Sequence, residues 1–157
     1  MIHHEPIDLC ITGDLPADPS IVAKLHFQCH TLNALNQRHP KLGLEISRGT
    51  TDNMPSGYRP IEWEIGRGRS GHSQHTYRNS MGALDLVCGN WPLFSTVLRM
   101  ETWIPWTRIA VYSGRGFVHC DCRGYDGSAT SITEKKLYDG RWVGMDTNNF
   151  LDTASKL

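Results

Sequence analysis

The spacing of apolar residues predicts a helix near the start of the chain, from about residue 20 to residue 37. Four apolar residues recur there at near-helical intervals and give one face to the core: Ile21, Leu25, Cys29 and Leu32. Asp18 or Ser20 can cap the start, Pro19 suits a first turn, and Pro40 lies beyond the end. We therefore expect one long amphipathic helix before any strand, apart from a short apolar segment at residues 7–11.

Alternation of apolar and polar positions predicts strands further along the chain. The segments LGLEIS and GALDLVC alternate in this way. TRIAVYSG and GFVHCDC are predicted as two further strands, which a glycine-containing turn can join into a hairpin. A short helix is predicted over WPLFSTVLRMETW, and the tail from Ser128 is predicted to carry one helix or strand at most. The pattern indicates a single α+β domain over residues 1–157, with a small antiparallel sheet and flanking helices.

The segment from Gly49 to Ser80 is rich in glycine and polar residues and has no sustained period. It predicts a long loop, and loops of this length inside small domains are usually functional or disordered. Because it contains Arg59, His72 and His75, we favour a functional loop.

Charge and composition exclude several classes of partner. The 157 residues include 16 basic and 16 acidic ones, so no electrostatic footprint for nucleic acid or an anionic membrane surface is present. No apolar run is long enough for membrane insertion, and the polar start lacks the pattern of a secretory signal, so we expect synthesis in a cytoplasm. Five cysteines at irregular spacing are then expected to be mostly reduced.

The segment FVHCDC places a histidine, an aspartate and two cysteines, all residue types that can bind a metal ion, within four positions. On a strand, Phe117, His119 and Asp121 point to one side while Cys120 and Cys122 point to the other. The cysteines and the histidine therefore cannot easily share one metal ion, and the cysteine pair lacks the loop geometry of a structural zinc site. A thiol redox centre at the two cysteines stays open as a different hypothesis.

Three motif blocks occur in order along the chain: SGYRP at 56–60, SGHSQHTYRNSMGALDL at 70–86 and FVHCDCRG at 117–124. Together they resemble the zinc D,D-peptidase family of bacterial cell-wall enzymes, which includes D-alanyl-D-alanine carboxypeptidases, vancomycin-resistance dipeptidases and phage L-alanyl-D-glutamate endopeptidases. The family pattern is Ser-Gly-Tyr-Arg, then Ser-x-His-x-x-Gly-x-Ala-x-Asp, then a strand of the type Phe-Val-His-x-Asp. The resemblance covers about half of the chain.

This resemblance implies a hedgehog/D,D-peptidase-like fold and a zinc ion held by His75, Asp85 and His119. Two neutral imidazoles and one carboxylate leave a fourth position for an activatable water. The chain departs from the family by placing nine residues between His75 and Asp85 where the family has six. His72, in SGH, is the rival first ligand, although it lengthens the gap further.

The resemblance also implies a general base and a substrate clamp. Several family members carry an acid three residues before the third ligand, but Gly116 stands there, so Asp121 becomes the expected base, with an orienting role beside the metal as its alternative. Glu64 and Glu101 are fallback candidates for the base, but each is expected to be a solvated charge. The clamp implied by SGYR is Arg59, with Arg48 as its rival.

Two further residues are expected to support the site and contact substrate, Ser73 by a hydrogen bond near His75 and Tyr58 by packing. The function implied is hydrolysis of peptidoglycan stem peptides by a monomeric, phage-type endolysin, made in a host cytoplasm and acting on the bacterial cell wall. L-alanyl-D-glutamate endopeptidase and D,D-carboxypeptidase activities are both compatible with the motifs. The alternative is a non-catalytic module that binds metal or cell-wall peptide.

Overall fold

The structure, a computed structural model, describes residues 2–112, 114–127, 134–138, 142–145 and 147–157. Short 3-10 helices lie at Pro6–Leu9 and Gln74–Thr76. In chain order the described helices and strands are α1 (Pro19–Arg38), β1 (Leu44–Ile46), α2 (Ile61–Gly66), β2 (Ala83–Cys88), α3 (Trp91–Met100), β3 (Arg108–Tyr112), β4 (Phe117–Asp121), β5 (Glu134–Tyr138), β6 (Trp142–Gly144) and α4 (Thr147–Ala154). The α+β class predicted from the alternation is confirmed.

One sheet contains all the described strands, in the order β1-β2-β4-β3-β5-β6. The first four strands are antiparallel neighbours, and β3 and β4 form the predicted hairpin. The prediction for the tail was wrong, because the tail contributes β5, β6 and α4, although its start at 128–133 lies outside the described residues. Strand β5 pairs with β3 in parallel. Parallel strands are not joined by a tight turn, so the sequence contains no turn motif that predicts this pairing.

Helix α1 forms where the sequence predicts it. The Asp18 side chain accepts a hydrogen bond of 2.8 Å from the Ser20 backbone N–H, and Pro19 occupies the first turn. The predicted apolar face is confirmed, since Leu25 and Leu32 are fully buried, and each such leucine contributes about 1.5–3 kcal/mol. No helix of the described residues combines the length and the apolar character needed to cross a bilayer.

One face of the sheet packs against the helices, and the opposite face carries the polar side chains of the strands. Side chains on one face join α1, α3 and α4 in a single buried cluster, and those with no exposed area include Leu84, Leu86, Ile109, Val118 and Cys120. The intervening residues Asp85, Ala110, His119 and Asp121 point to the opposite face, as the alternation in β2 and β4 predicts. The polar side chains of these strands are thereby brought onto one surface.

The segment from residue 49 to residue 80 covers part of this polar face, and it contains α2 and a 3-10 helix. A backbone hydrogen bond of 2.9 Å from Asp85 N–H to Ser56 C=O ties it to β2, and one of 2.8 Å from Arg59 N–H to His75 C=O joins two parts of the segment itself. Gly57 is required where the segment passes the backbone of Leu9, because a Cβ at residue 57 would lie 2.3 Å from the Leu9 carbonyl oxygen. The segment is therefore anchored at the point where its motif residues lie.

Candidate metal centre

Three side chains from separate parts of the chain meet on the polar face of the sheet. His75 comes from the 3-10 helix Gln74–Thr76, Asp85 from β2 and His119 from β4. Asp85 and His119 are direct partners in the β2–β4 register, so their side chains stand next to each other on one face. One ligand atom from each of these residues lies within 4.8 Å of the other two, which makes this a candidate metal-binding triad.

Two of the three separations within the triad match those of a tetrahedral site, and the third, between His119 and Asp85, is shorter by about 0.5 Å. His75 Nε2 lies 3.3 Å from His119 Nδ1 and 3.4 Å from Asp85 Oδ1, and His119 Nδ1 lies 2.9 Å from Asp85 Oδ1. Nitrogen and oxygen ligands at about 2.0–2.1 Å from a tetrahedral ion are about 3.4 Å from one another. The donor set and its spacing therefore fit a divalent metal ion that accepts imidazole and carboxylate ligands.

The hydrogen bond made by Nδ1 of His75 leaves its other ring nitrogen, Nε2, directed at the triad. Nδ1–H donates a hydrogen bond of 2.7 Å to the Gly57 carbonyl oxygen, so Nε2 carries the lone pair. The backbone N–H of His75 is held in turn by the Ser73 hydroxyl at 3.3 Å. Metal-binding histidines typically have such a partner on the outer nitrogen, and it orients the ring.

The outer oxygen of Asp85 is also occupied. Ser56 Oγ–H donates to Asp85 Oδ2 at 2.5 Å, and Arg59 Nη2 lies 2.6 Å from Ser56 Oγ and 3.3 Å from the same carboxylate oxygen. These contacts leave Oδ1 directed at the two histidines. Ser56 lies in the motif block SGYR, but sequence reasoning assigned it no role.

His119 is held on its outer side by Asp121. Nε2 of His119 lies 3.3 Å from Asp121 Oδ2, and this carboxylate also accepts hydrogen bonds from the Arg123 side chain at 2.9 Å and the Arg123 backbone N–H at 3.1 Å. Asp121 has no exposed surface. The residue predicted as general base therefore contacts the side of His119 that faces away from Asp85.

Electrostatics set the protonation states of the triad. Burial lowers the pKa of His75 despite the nearby Asp85 charge, so this imidazole is neutral at pH 7. Burial also opposes the charged forms of His119 and Asp85, but the contacts of each with oppositely charged neighbours outweigh burial, so both pKa values shift in favour of the charged form. Hydrogen bonds to Asp121 and Asp85 raise the pKa of His119 to about 9, and the histidines hold the pKa of Asp85 well below its usual range.

A cleft of about 520 Å³ opens over the triad. Of the predicted site residues, Arg59 and Ser73 line it together with the triad and Asp121, and the rival His72 lines it without belonging to the triad. The rival clamp Arg48 donates to the Asn53 carbonyl instead. Tyr58 does not line the cleft, since it packs edge-to-face on Tyr77 in the core with ring centroids 5.7 Å apart.

The prediction that Glu64 and Glu101 are solvated charges was wrong. Glu64 is 2% exposed and accepts hydrogen bonds from Arg59 at 3.3 Å and Arg69 at 3.1 Å. Glu101 is 8% exposed and lies away from the cleft, where Arg38 and other donors contact it. Sequence reasoning missed both because their partners come from the packing of other elements and are not visible in local spacing.

Cys120 and Cys122 lie on the core side of the sheet, as the alternation predicts. Both are buried and unbonded to another cysteine, and Gln28 donates to the Cys122 sulfur at 3.2 Å. Burial raises the pKa of Cys122 to about 12 and that of Cys120 well above its usual value. Such thiols have little thiolate at neutral pH, so the contacts disfavour the redox hypothesis.

The nine residues between His75 and Asp85 form a tight loop. Tyr77 adopts a left-handed conformation with φ of 58°, and its ring packs on Gly82, where a Cβ would lie 2.4 Å from the ring. The Tyr77 carbonyl accepts a hydrogen bond of 2.6 Å from Lys24 on α1. The two ends of this loop lie beside each other at the triad, although nine residues separate His75 from Asp85.

Comparison with known proteins adds no family to these findings. No protein-family model matches the chain, and no curated protein or solved structure matches it significantly. The chemistry is therefore argued from the geometry of the chain itself.

Proposed function

We propose that the protein is a zinc-dependent peptidase that hydrolyses peptidoglycan stem peptides, with the fold of the D,D-peptidase family that its motifs resemble. One observation carries the proposal: the histidine and the aspartate of the second motif block, His75 and Asp85, converge with His119 of the third block, with ligand atoms within 4.8 Å. Partners on the outer atom of each ligand add support, because they direct the inner atoms at one point.

The proposed reaction assigns a role to each residue of the cleft. His75, Asp85 and His119 would hold the ion, which would supply an activated water and polarise the peptide carbonyl. Asp121 is the one carboxylate of the described cleft lining outside the triad, so we assign it the proton acceptor role as well as the support of His119. Arg59 holds Asp85 through Ser56 and lines the cleft, and we assign it the contact with the substrate carbonyl or carboxylate.

We favour L-alanyl-D-glutamate endopeptidase activity, with D,D-carboxypeptidase activity as the second choice. The motifs resemble those of short phage endolysins, which act on the wall after synthesis in the host cytoplasm. We propose that the chain acts as a monomer, since the triad is complete within one chain.

Digestion of purified sacculi tests the proposal. The zinc-loaded protein should release new free amino termini, chelation should stop the release, and added zinc should restore it. Mass spectrometry of the released muropeptides then identifies the cleaved bond. Zinc binding without any release would contradict the enzymatic proposal and favour the binding module.

Two histidine variants supply a matched comparison. His75→Ala should lose zinc stoichiometry measured after dialysis as well as activity, because it removes one of the three ligands. His72→Ala should keep one zinc per chain, because His72 lies in the same cleft but outside the triad. Retention of zinc by His75→Ala and its loss from His72→Ala would reverse the ligand assignment.

A further inference from the structure

Glu64 is a buried acid beside the cleft to which the proposed reaction assigns no role. It lies in α2 and is 2% exposed, whereas Glu62 of the same helix is exposed to solvent. A carboxylate is rarely buried without oppositely charged partners, because removing its charge from water is costly. The partners of Glu64 therefore indicate what its burial achieves.

Two of the five arginines that line the cleft share this carboxylate. The five are Arg59, Arg69, Arg108, Arg115 and Arg123. Nη1 of Arg59 lies 3.3 Å and Nη1 of Arg69 lies 3.1 Å from the same oxygen, Glu64 Oε1. The Arg69 backbone N–H also donates to the Glu64 carbonyl oxygen at 3.1 Å. Glu64 therefore holds two guanidinium groups at the wall of the cleft.

Trp63, the residue before Glu64 in α2, supports the same guanidinium groups. Its ring centre lies 5.9 Å from the guanidinium carbon of Arg59, 5.3 Å from that of Arg69 and 4.2 Å from that of Arg67. A guanidinium near an aromatic face is attracted by the negative charge of the ring face. Ring and carboxylate together restrict the conformations that Arg59 can adopt.

Arg59 connects Glu64 to one of the candidate metal ligands. Its other terminal nitrogen, Nη2, lies 2.6 Å from Ser56 Oγ and 3.3 Å from Asp85 Oδ2, and Ser56 Oγ–H donates to the same carboxylate oxygen. Because a guanidinium is planar and rigid, the contact of Nη1 with Glu64 also fixes the direction of Nη2. A continuous chain of contacts therefore runs from Glu64 to the outer oxygen of Asp85.

We propose that Glu64 is a positioning residue of the metal centre, which holds Arg59 in the orientation that directs Asp85 Oδ1 at the ion. Glu64 contacts neither the ion nor the substrate in this proposal. The inference rests on the proposed function in taking zinc as the ion. Removal of a partner that orients a ligand typically lowers metal affinity by about 10–100-fold. Glu64 is one contact further from the ion, so we expect an effect at the lower end of this range.

Zinc affinity measured in the absence of peptide tests the proposal. Glu64→Ala should raise the zinc dissociation constant by about 10-fold, with circular dichroism of the zinc-free variant as the check that it folds. Glu64→Gln keeps an acceptor oxygen but removes the charge, and charge-assisted hydrogen bonds are about twice as strong as neutral ones. Its dissociation constant should therefore rise by only about 3-fold. Glu62→Ala, at the exposed position of α2, is the matched control and should retain the wild-type affinity.

A double-mutant cycle with Arg59→Gln tests whether Glu64 acts through Arg59. In the Arg59→Gln background, the further change Glu64→Ala should have no added effect on the zinc dissociation constant, because the guanidinium that Glu64 positions is absent. The same rise in both backgrounds would indicate a merely structural role and would overturn the proposal. Wild-type zinc affinity in both single variants of Glu64 would overturn it as well. If Glu64→Ala does not fold, Glu64→Gln takes its place in the cycle.

The zinc measurement also separates this proposal from the function it rests on. If the wild-type protein binds zinc and cleaves no peptide, the peptidase is contradicted, while coupling between Glu64 and Arg59 in the cycle still supports the positioning role. If the protein cleaves sacculi but the cycle shows no coupling, the positioning role alone is contradicted.

Discussion

At the scale of single residues, His119 is the group on which the site depends. Its two ring nitrogens contact two carboxylates, Asp85 Oδ1 at 2.9 Å and Asp121 Oδ2 at 3.3 Å. One of these carboxylates belongs to the triad, and the other belongs to the support of the ring. An arrangement of carboxylate, histidine and metal is the usual way in which proteins raise the basicity of a ligand and fix its orientation.

The variant Asp121→Asn separates the two proposed roles of Asp121. Because an uncharged amide is a weaker acceptor than a carboxylate for the His119 N–H and for the proton of a water, we expect the zinc dissociation constant to rise by about 10–100-fold. At saturating zinc, kcat should also fall by about 100-fold or more, as for the loss of a general base. Competition with a fluorescent chelator measures the first effect and steady-state peptide hydrolysis the second.

Each outcome bears on one role. An unchanged kcat at saturating zinc would contradict the base, and an unchanged zinc affinity would contradict the support of His119. Ser73→Ala is a suitable control variant. Ser73 lines the same cleft, but the hydrogen bond of its hydroxyl is to the backbone N–H of His75 and not to a ligand side chain.

At the scale of elements, the end of α1 and the end of α3 are joined by one buried carboxylate. Glu101 follows α3 and accepts hydrogen bonds from Arg38 at 2.9 Å, from His39 at 2.7 Å and from Trp103 at 2.5 Å. Although burial opposes its ionisation, these donors lower the pKa of Glu101 to about 2. Glu101 does not line the cleft, so this contact concerns stability and not the proposed chemistry.

Glu101→Gln should destabilise the fold by about 1.5–3 kcal/mol at neutral pH, because it removes a carboxylate that accepts charge-assisted hydrogen bonds. The folded pKa lies below the unfolded value of about 4.3, so this contribution is complete above that pH and is lost as the pH falls toward about 2. Urea unfolding of both proteins between pH 7 and pH 2 measures the difference.

The difference between wild type and Glu101→Gln should therefore shrink in acid. Glu45→Gln, at an exposed position of β1, is the control and should change stability by less than about 0.5 kcal/mol. A constant difference across the pH range would show that the effect of Glu101 does not come from its charge.

At the scale of the whole molecule, the triad joins parts of the chain that are far apart in sequence. His75 belongs to the segment anchored over the sheet, while Asp85 and His119 belong to two neighbouring strands. An ion that binds all three in the folded state and not in the unfolded chain stabilises the fold by mass action.

Zinc at about 100 times its dissociation constant should stabilise the protein by about 2.7 kcal/mol, which raises Tm by roughly 5–10 °C for a chain of this length. Differential scanning calorimetry with and without zinc measures the shift. His75→Ala should lose most of it. An equal shift in that variant would locate the zinc elsewhere, although no other cluster of candidate ligands is present among the described residues.

Helices and strands that are specified by local apolar spacing could be predicted from the sequence, and those that depend on pairing with distant strands could not. Helix α1 and strands β1 to β4 form where periodicity indicates, because apolar spacing within one segment already specifies which side faces the core. The tail did not follow, since β5 pairs with β3 in parallel and no local turn signal marks a parallel pair. The loop from residue 49 to residue 80 likewise contains α2, a helix too short to leave a periodic signal.

The sequence alone determined the polar face of β4, because alternation along a strand is a local property of the chain. Its motif order indicated Asp85 and His119 as candidate ligands and left the first ligand open between His75 and His72. Only the tertiary structure decided that these ligands meet, that Ser56, Gly57 and Asp121 hold their outer atoms, and that the arginines collect in one cleft. The physical reason is that strand pairing and the anchoring of a loop bring together residues distant in sequence, and no local pattern encodes the distances between them.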